Sequence, residues 1–120
     1  FHEGDLLAPL IGSPDGGRLD AVLSNPPYVR RDDPSVERDV REHEPEAALY
    51  VPGDDALAYV RQIAEAGLEA LRPGGLLAVE VGYESGAEGE ALLGALGYAS
   101  CGRIRDFAGI DRIVVGRRRP

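Results

Sequence analysis

Residues 25 to 28 read Asn-Pro-Pro-Tyr and follow directly on a short apolar run, Ala21 to Leu23. Two successive prolines fix φ twice and remove two backbone donors, so the carbonyls of Asn25 and Pro26 are expected to point outward from a stiff, acceptor-rich segment. A planar nitrogen carrying two hydrogens, as in a glutamine side-chain amide or an adenine amino group, could give one hydrogen to the Asn25 side-chain oxygen and the other to the Pro26 carbonyl. The Tyr28 ring would lie against its flat face. Held this way, the nitrogen lone pair is drawn out of conjugation and aimed at an electrophile, and the two acceptors stabilise the positive charge that develops on attack. No strong base is needed first. The electrophile that suits the arrangement is a sulfonium methyl, because such a cofactor carries its own reactivity and leaves the protein only the task of orienting the partners. A proline pair can also be a tight turn or a polyproline recognition segment. The strand in front of it and the absence of a Pro-Pro-x-Tyr order argue for a site.

The elements around this stretch must put it at a strand end. Leu19 to Leu23 reads as a buried strand over about residues 20 to 24, stopped by Pro26, which cannot donate to a ladder. Residues 29 to 51 form a long, charged, functional-looking loop broken by Pro34 and Pro45. Leu57, Val60, Ile63, Leu68 and Leu71 recur at helical spacing behind a cap at Asp54 or Asp55, and "RPGG" at 72 to 75 ends that helix. "LLAVEV", 76 to 81, reads as a buried strand whose Glu80 needs an ion-pair partner or a site at the strand end. A second helix is expected over 84 to 96, buried through Ala87, Ala91, Leu92 and Leu96, with Gly97 as its C-terminal glycine. A weaker strand at 98 to 105 and a stronger one at 112 to 116 follow, joined by the short "DFAGID", which suits an antiparallel pair. Alternation of strands and helices predicts an open α/β sheet, and in such sheets ligands bind beyond the carboxyl ends of the strands.

Composition narrows the function classes. The 120 residues, 43% hydrophobic and 28% charged, suit one domain or part of one, and no apolar run is long enough to span a bilayer. A net charge of -8 makes the surface field repel phosphate backbones and argues against a nucleic-acid partner. One cysteine, Cys101, fits a reducing, cytoplasmic setting and reads as a small buried residue, and with only His2 and His43 beside it no metal-ligand spacing is formed. The chain begins at Phe1, contains no methionine and has no leader-like segment, so it is expected to be a piece of something longer.

"SNPPY" after "DAVL", then "EHEPEAAL", "LRPGGLLAVEVGYESG" and "DFAGIDRIVVGR", together resemble the HemK-type peptide chain release factor glutamine methyltransferases. The resemblance implies the C-terminal half of a Rossmann-like class I methyltransferase sheet, mostly parallel with an antiparallel last strand pair. Residues 1 to 120 would then be a partial S-adenosylmethionine-dependent domain, with the Gly-rich cofactor loop and a helical domain lying before Phe1. It implies Asn25, Pro26 and Tyr28 as catalytic residues, and Asn25, Pro26, Pro27, Tyr28 and Glu44 as substrate-binding residues. Asp5, Leu6 and Asn25 would be the cofactor-binding ones, with S-adenosylmethionine as cofactor and a release factor as protein substrate. Pro45, Ala48 and Leu49 match the loop beside the family's pocket.

Two other readings stay open on the residues. An adenine-specific DNA or RNA methyltransferase presents the same two-hydrogen geometry to the same clamp, although it should carry a basic groove. Alternatively, the chain is a non-catalytic half-sheet: without a Gly-rich first turn the 120 residues alone are expected to lack turnover. The strand at 20 to 24 would then have an exposed edge prone to self-association.

Overall fold

A computed structural model describes residues 16–26 and 57–120. Their elements are β1 (Leu19–Ser24), α1 (Ala58–Ala70), β2 (Leu71–Glu80), α2 (Gly86–Ala95), β3 (Ala99–Arg105) and β4 (Asp111–Arg117). The sheet order is β1-β2-β4-β3. β1 pairs parallel with β2, and β4 runs antiparallel to both β2 and β3. Three strands therefore point one way, and the last hairpin folds back into the gap between β2 and β3. This is the expected mostly parallel sheet with an antiparallel final pair.

α1 forms where the apolar spacing places it, burying Val60, Ile63, Ala64 and Ala70 against the sheet. It starts behind Leu57, whose side chain makes no cap, and the expected caps Asp54 and Asp55 lie outside the described residues. The helix stops at Ala70, where Leu71 turns extended. "RPGG" is not a linker before the next strand but an excursion inside β2: Leu71 pairs with Leu19, and the ladder resumes with Leu76 opposite Ala21.

α2 departs from expectation in the face it buries. Ala87 and Ala91 are exposed, whereas Gly86, Gly89 and Leu93 are buried. A Cβ on Gly86 would stand 2.6 Å from the Asp111 Cβ, and one on Gly89 3.0 Å from a Val114 methyl. The helix thus lies on β4 through bare backbone, closer than an alanine face permits. Its end is a Schellman turn, with Tyr98 N–H donating to the Leu93 carbonyl at 3.0 Å and Gly97 N–H to Gly94 at 3.1 Å. Gly97 takes the left-handed φ of 103° that this turn requires.

The core lies between the two helices and one face of the sheet: Val22, Leu77, Val79, Val81, Val114, Leu93 and Tyr98. Tyr98 is 2% exposed, and its hydroxyl donates to the Ala64 carbonyl in α1 at 2.6 Å. Burial pushes the phenol up to about 12, opposed by the nearby Arg118 charge. Cys101 is partly buried against the same core, with its thiol donating to the Tyr98 carbonyl. Burial, helped by the Glu90 carboxylate and opposed by Arg119, raises its pKa and disfavours the reactive thiolate. β3 is the weaker strand for a visible reason: Ser100 sits at φ 52° and the ladder slips between Ala99 and Gly102, a bulge.

Candidate functional site

β1, β2 and β3 all deliver their carboxyl ends to one rim of the sheet. On that rim, the sheet face opposite the core carries an open hollow of roughly 330 Å³ lined by Leu23, Ser24, Asn25, Ala78, Glu80 and Ile113. Alternation along each strand explains the lining. Val22, Leu77, Val79 and Val114 go to the helices, so Leu23, Ala78, Glu80 and Ile113 must face the other way. Register brings them level, with Leu23 opposite Ala78, Ser24 opposite Val79 and Glu80 opposite Ile113.

Asn25 is exposed at the mouth of this hollow and Pro26 is buried just behind it. The strand therefore ends where the proline pair begins, and its last polar side chain stands at a concave, mostly apolar surface. Leu23 is 73% exposed on the same strand and adds apolar surface to the hollow. Glu80, at the end of β2, is half-buried in this lining. A neutral amide and a carboxylate amid Leu23, Ala78 and Ile113 can fix the orientation of a polar group whose body is flat or apolar. Pro27, Tyr28, Glu44, Asp5 and Leu6, with Pro45, Ala48 and Leu49, lie outside the described residues. Ile113, Leu23 and Ala78 were not singled out by residue type. Register gathers them, β1 against β2 for Leu23 and Ala78, and β4 against β2 for Ile113. Among the described residues no group of His, Cys, Asp and Glu could hold a metal ion, and no helix is long and apolar enough to cross a membrane.

Over 98% of its length the chain is 40% identical to a release factor glutamine methyltransferase of Clostridium acetobutylicum, covering 41% of that protein. It is also 40% identical over 98% of its length to one from Geobacter sulfurreducens, covering 40% of it. Against one from Caulobacter vibrioides it is 42% identical over 85% of its length, covering 35%. The chain is a relative of the release factor glutamine methyltransferases. It spans about two fifths of the length of these relatives. No protein-family model matches it. Among solved structures, a protein assigned as a DNA modification methylase from Thermus thermophilus superposes with a TM-score of 0.56 at 17% identity, covering 92% of this chain and 49% of the other. A second structure of that protein gives 0.53 at the same identity. At that identity the likeness speaks for the fold alone.

Proposed function

We propose that the protein takes part in S-adenosylmethionine-dependent methylation of a glutamine side-chain amide in a peptide chain release factor, in the cytoplasm. The observation that carries this reading is the likeness, across 98% of the chain, to relatives named for that one reaction. The exposed Asn25 beside an open hollow at the carboxyl end of β1 agrees with it.

In this reading Asn25 and the Pro26 carbonyl accept the two amide hydrogens, Pro27 stiffens the segment, and Tyr28 stacks on the amide plane, with Glu44 beside the substrate. Two acceptors in a fixed frame cost no reorganisation as the nitrogen becomes positive, which is why a poorly nucleophilic amide can react without prior deprotonation. Asn25, with Asp5 and Leu6, would hold the cofactor, which supplies an electrophilic methyl carbon. The hollow suits this use: its walls at Leu23, Ala78 and Ile113 are apolar, and its polar groups are few and gathered at the strand ends. The net charge of -8 disfavours the adenine-directed alternative, which would need to attract a phosphate backbone.

Incubating the protein, as expressed from its own gene, with methyl-labelled S-adenosylmethionine and either a release factor or DNA tests the proposal. Label in a glutamine of the release factor is the expected result. Label in DNA alone, or in neither, would overturn it.

A further inference from the structure

The connection between β3 and β4 is a rigid turn that displays an aromatic ring. Asp106 organises it: its N–H donates to the Ile110 carbonyl and its carbonyl accepts from Gly109 N–H, at 2.9 and 3.0 Å. Its Oδ1 accepts the N–H groups of Ala108 and Ile110 at 2.9 and 3.0 Å, and its Oδ2 accepts Arg112 Nε at 3.2 Å. The Ile110 N–H above all, together with Arg112 and Ala108, holds the Asp106 carboxyl below the usual carboxylate range. At the tip, Phe107 is 113% exposed, more open than in an extended reference chain. A segment tied down this firmly cannot fold Phe107 back onto the core, and among the described residues nothing covers the ring.

The turn lies on the same rim as the hollow. β3 runs in the direction of β1 and β2, so its carboxyl end, and the turn after it, share the side where Asn25 and Glu80 stand. Ile113, which lines the hollow, pairs with Glu80 on one side and with Ile104 on the other, and paired residues share a face. Ile104 is 50% exposed. An apolar row therefore leads out of the hollow, from Ile113 to Ile104 and on to Phe107. From β1 to β3 there are three strand spacings, about 14 Å in all. An extended chain covers roughly 3.4 Å per residue, so a bound peptide with one residue at Asn25 has another about four positions away over Ile104 and Phe107.

We propose that Phe107, with Ile104, is a docking point for the protein that carries the target glutamine, engaging an apolar side chain about four residues from it along the chain. This rests on the methyl-transfer reading above and names the part of the surface that selects a protein over a free amide. Phe107 is far from the reacting atoms, so its contribution is to binding and leaves the chemical step alone.

The test compares methylation of intact release factor with that of a tripeptide centred on the glutamine, using the protein as expressed from its own gene. F107S should raise KM for the intact factor about tenfold with kcat within about twofold. It should leave kcat/KM for the tripeptide unchanged, and F107L should recover most of the loss. Phe107 packs against nothing among the described residues, so the substitution should leave folding intact, which circular dichroism checks; I104S should act in the same direction. An unchanged KM for the intact factor, with wild-type turnover present, overturns the docking role alone. Equal losses on factor and tripeptide overturn it as well. Absence of any transfer to the factor by the wild-type protein overturns the underlying reading, and this inference with it.

Discussion

Gly67 and Tyr98 should behave as one unit. A Cβ built on Gly67 would lie 2.5 Å from the Tyr98 hydroxyl oxygen, closer than real contacts allow. The ring has little room to retreat, because Tyr98 is 2% exposed and packs close against the bare Gly116 backbone. Gly67→Ala therefore overpacks the core at a cost of about 1–3 kcal/mol, and displacing the hydroxyl from the Ala64 carbonyl loses about 1 kcal/mol more. Against this stands a gain of about 0.5–1 kcal/mol from alanine in a helix interior. The net effect is destabilisation by about 1–3 kcal/mol. Once Tyr98→Phe has removed the oxygen, the nearest atoms to the new methyl are the Leu71 Cδ1 and the ring Cζ, both at 3.8 Å, which is ordinary contact. In that background Gly67→Ala should stabilise by about 0.5–1 kcal/mol. The four proteins are compared by urea unfolding followed by circular dichroism, and the coupling between the two changes should be about 1.5–4 kcal/mol. If Gly67→Ala has the same effect in the wild-type and Tyr98→Phe backgrounds, the hydroxyl is not what requires glycine there and the reasoning fails.

Other outcomes follow from the same structure. The folded chain holds the Tyr98 proton more tightly than the unfolded one, so the associated stability is fully present below pH 10 and is lost as pH rises through about 12. Alkaline unfolding should shift upward in Tyr98→Phe relative to its own stability at pH 7. The Asp106 carboxyl is shifted the other way. Its contribution is present above the ordinary carboxylate value and is lost as pH falls through its lowered one. Protection of the Ala108 and Ile110 amides, measured against their intrinsic exchange rates at each pH, should therefore fall in acid, and at neutral pH in Asp106→Ala. β1 has β2 as its one neighbour among the described residues, and sedimentation at rising concentration should show self-association; a clean monomer throughout would count against pairing at that edge.

How much of this was legible in the sequence varies with the kind of information each feature carries. The strand before Pro26, the helix through Val60 and Ile63, and Gly97 as a helix end all rest on local spacing and local φ demands, and they stand where the residues put them. On α2 hydrophobic patterning picks out Leu92 and Leu96, which pack partly buried against the core, but ranks the exposed Ala87 and Ala91 above the glycines that the helix buries. What decides that face is how closely the backbone must approach Asp111 and Val114, a tertiary fact. Strand order has the same character: a short connection makes β3 and β4 a hairpin, but nothing local says that β4 inserts beside β2. That insertion is what brings Ile113 to Glu80 and completes the hollow. Asn25 was legible because proline chemistry marks the strand end. Phe107 was not, since "DFAGID" reads as a connector until the Asp106 hydrogen bonds show how it is held. The loop carrying Tyr28 and Glu44 lies outside the described residues.

The most direct measurement is single-turnover methyl transfer to a release factor by the wild-type protein and by Asn25→Ala, at saturating substrate. If Asn25 accepts a hydrogen from the reacting amide as charge develops, the rate constant should fall by about 10²–10³-fold, with the KM for the factor changed little. A rate within twofold of wild type would contradict the assignment of Asn25, and with it the account of how this strand end works.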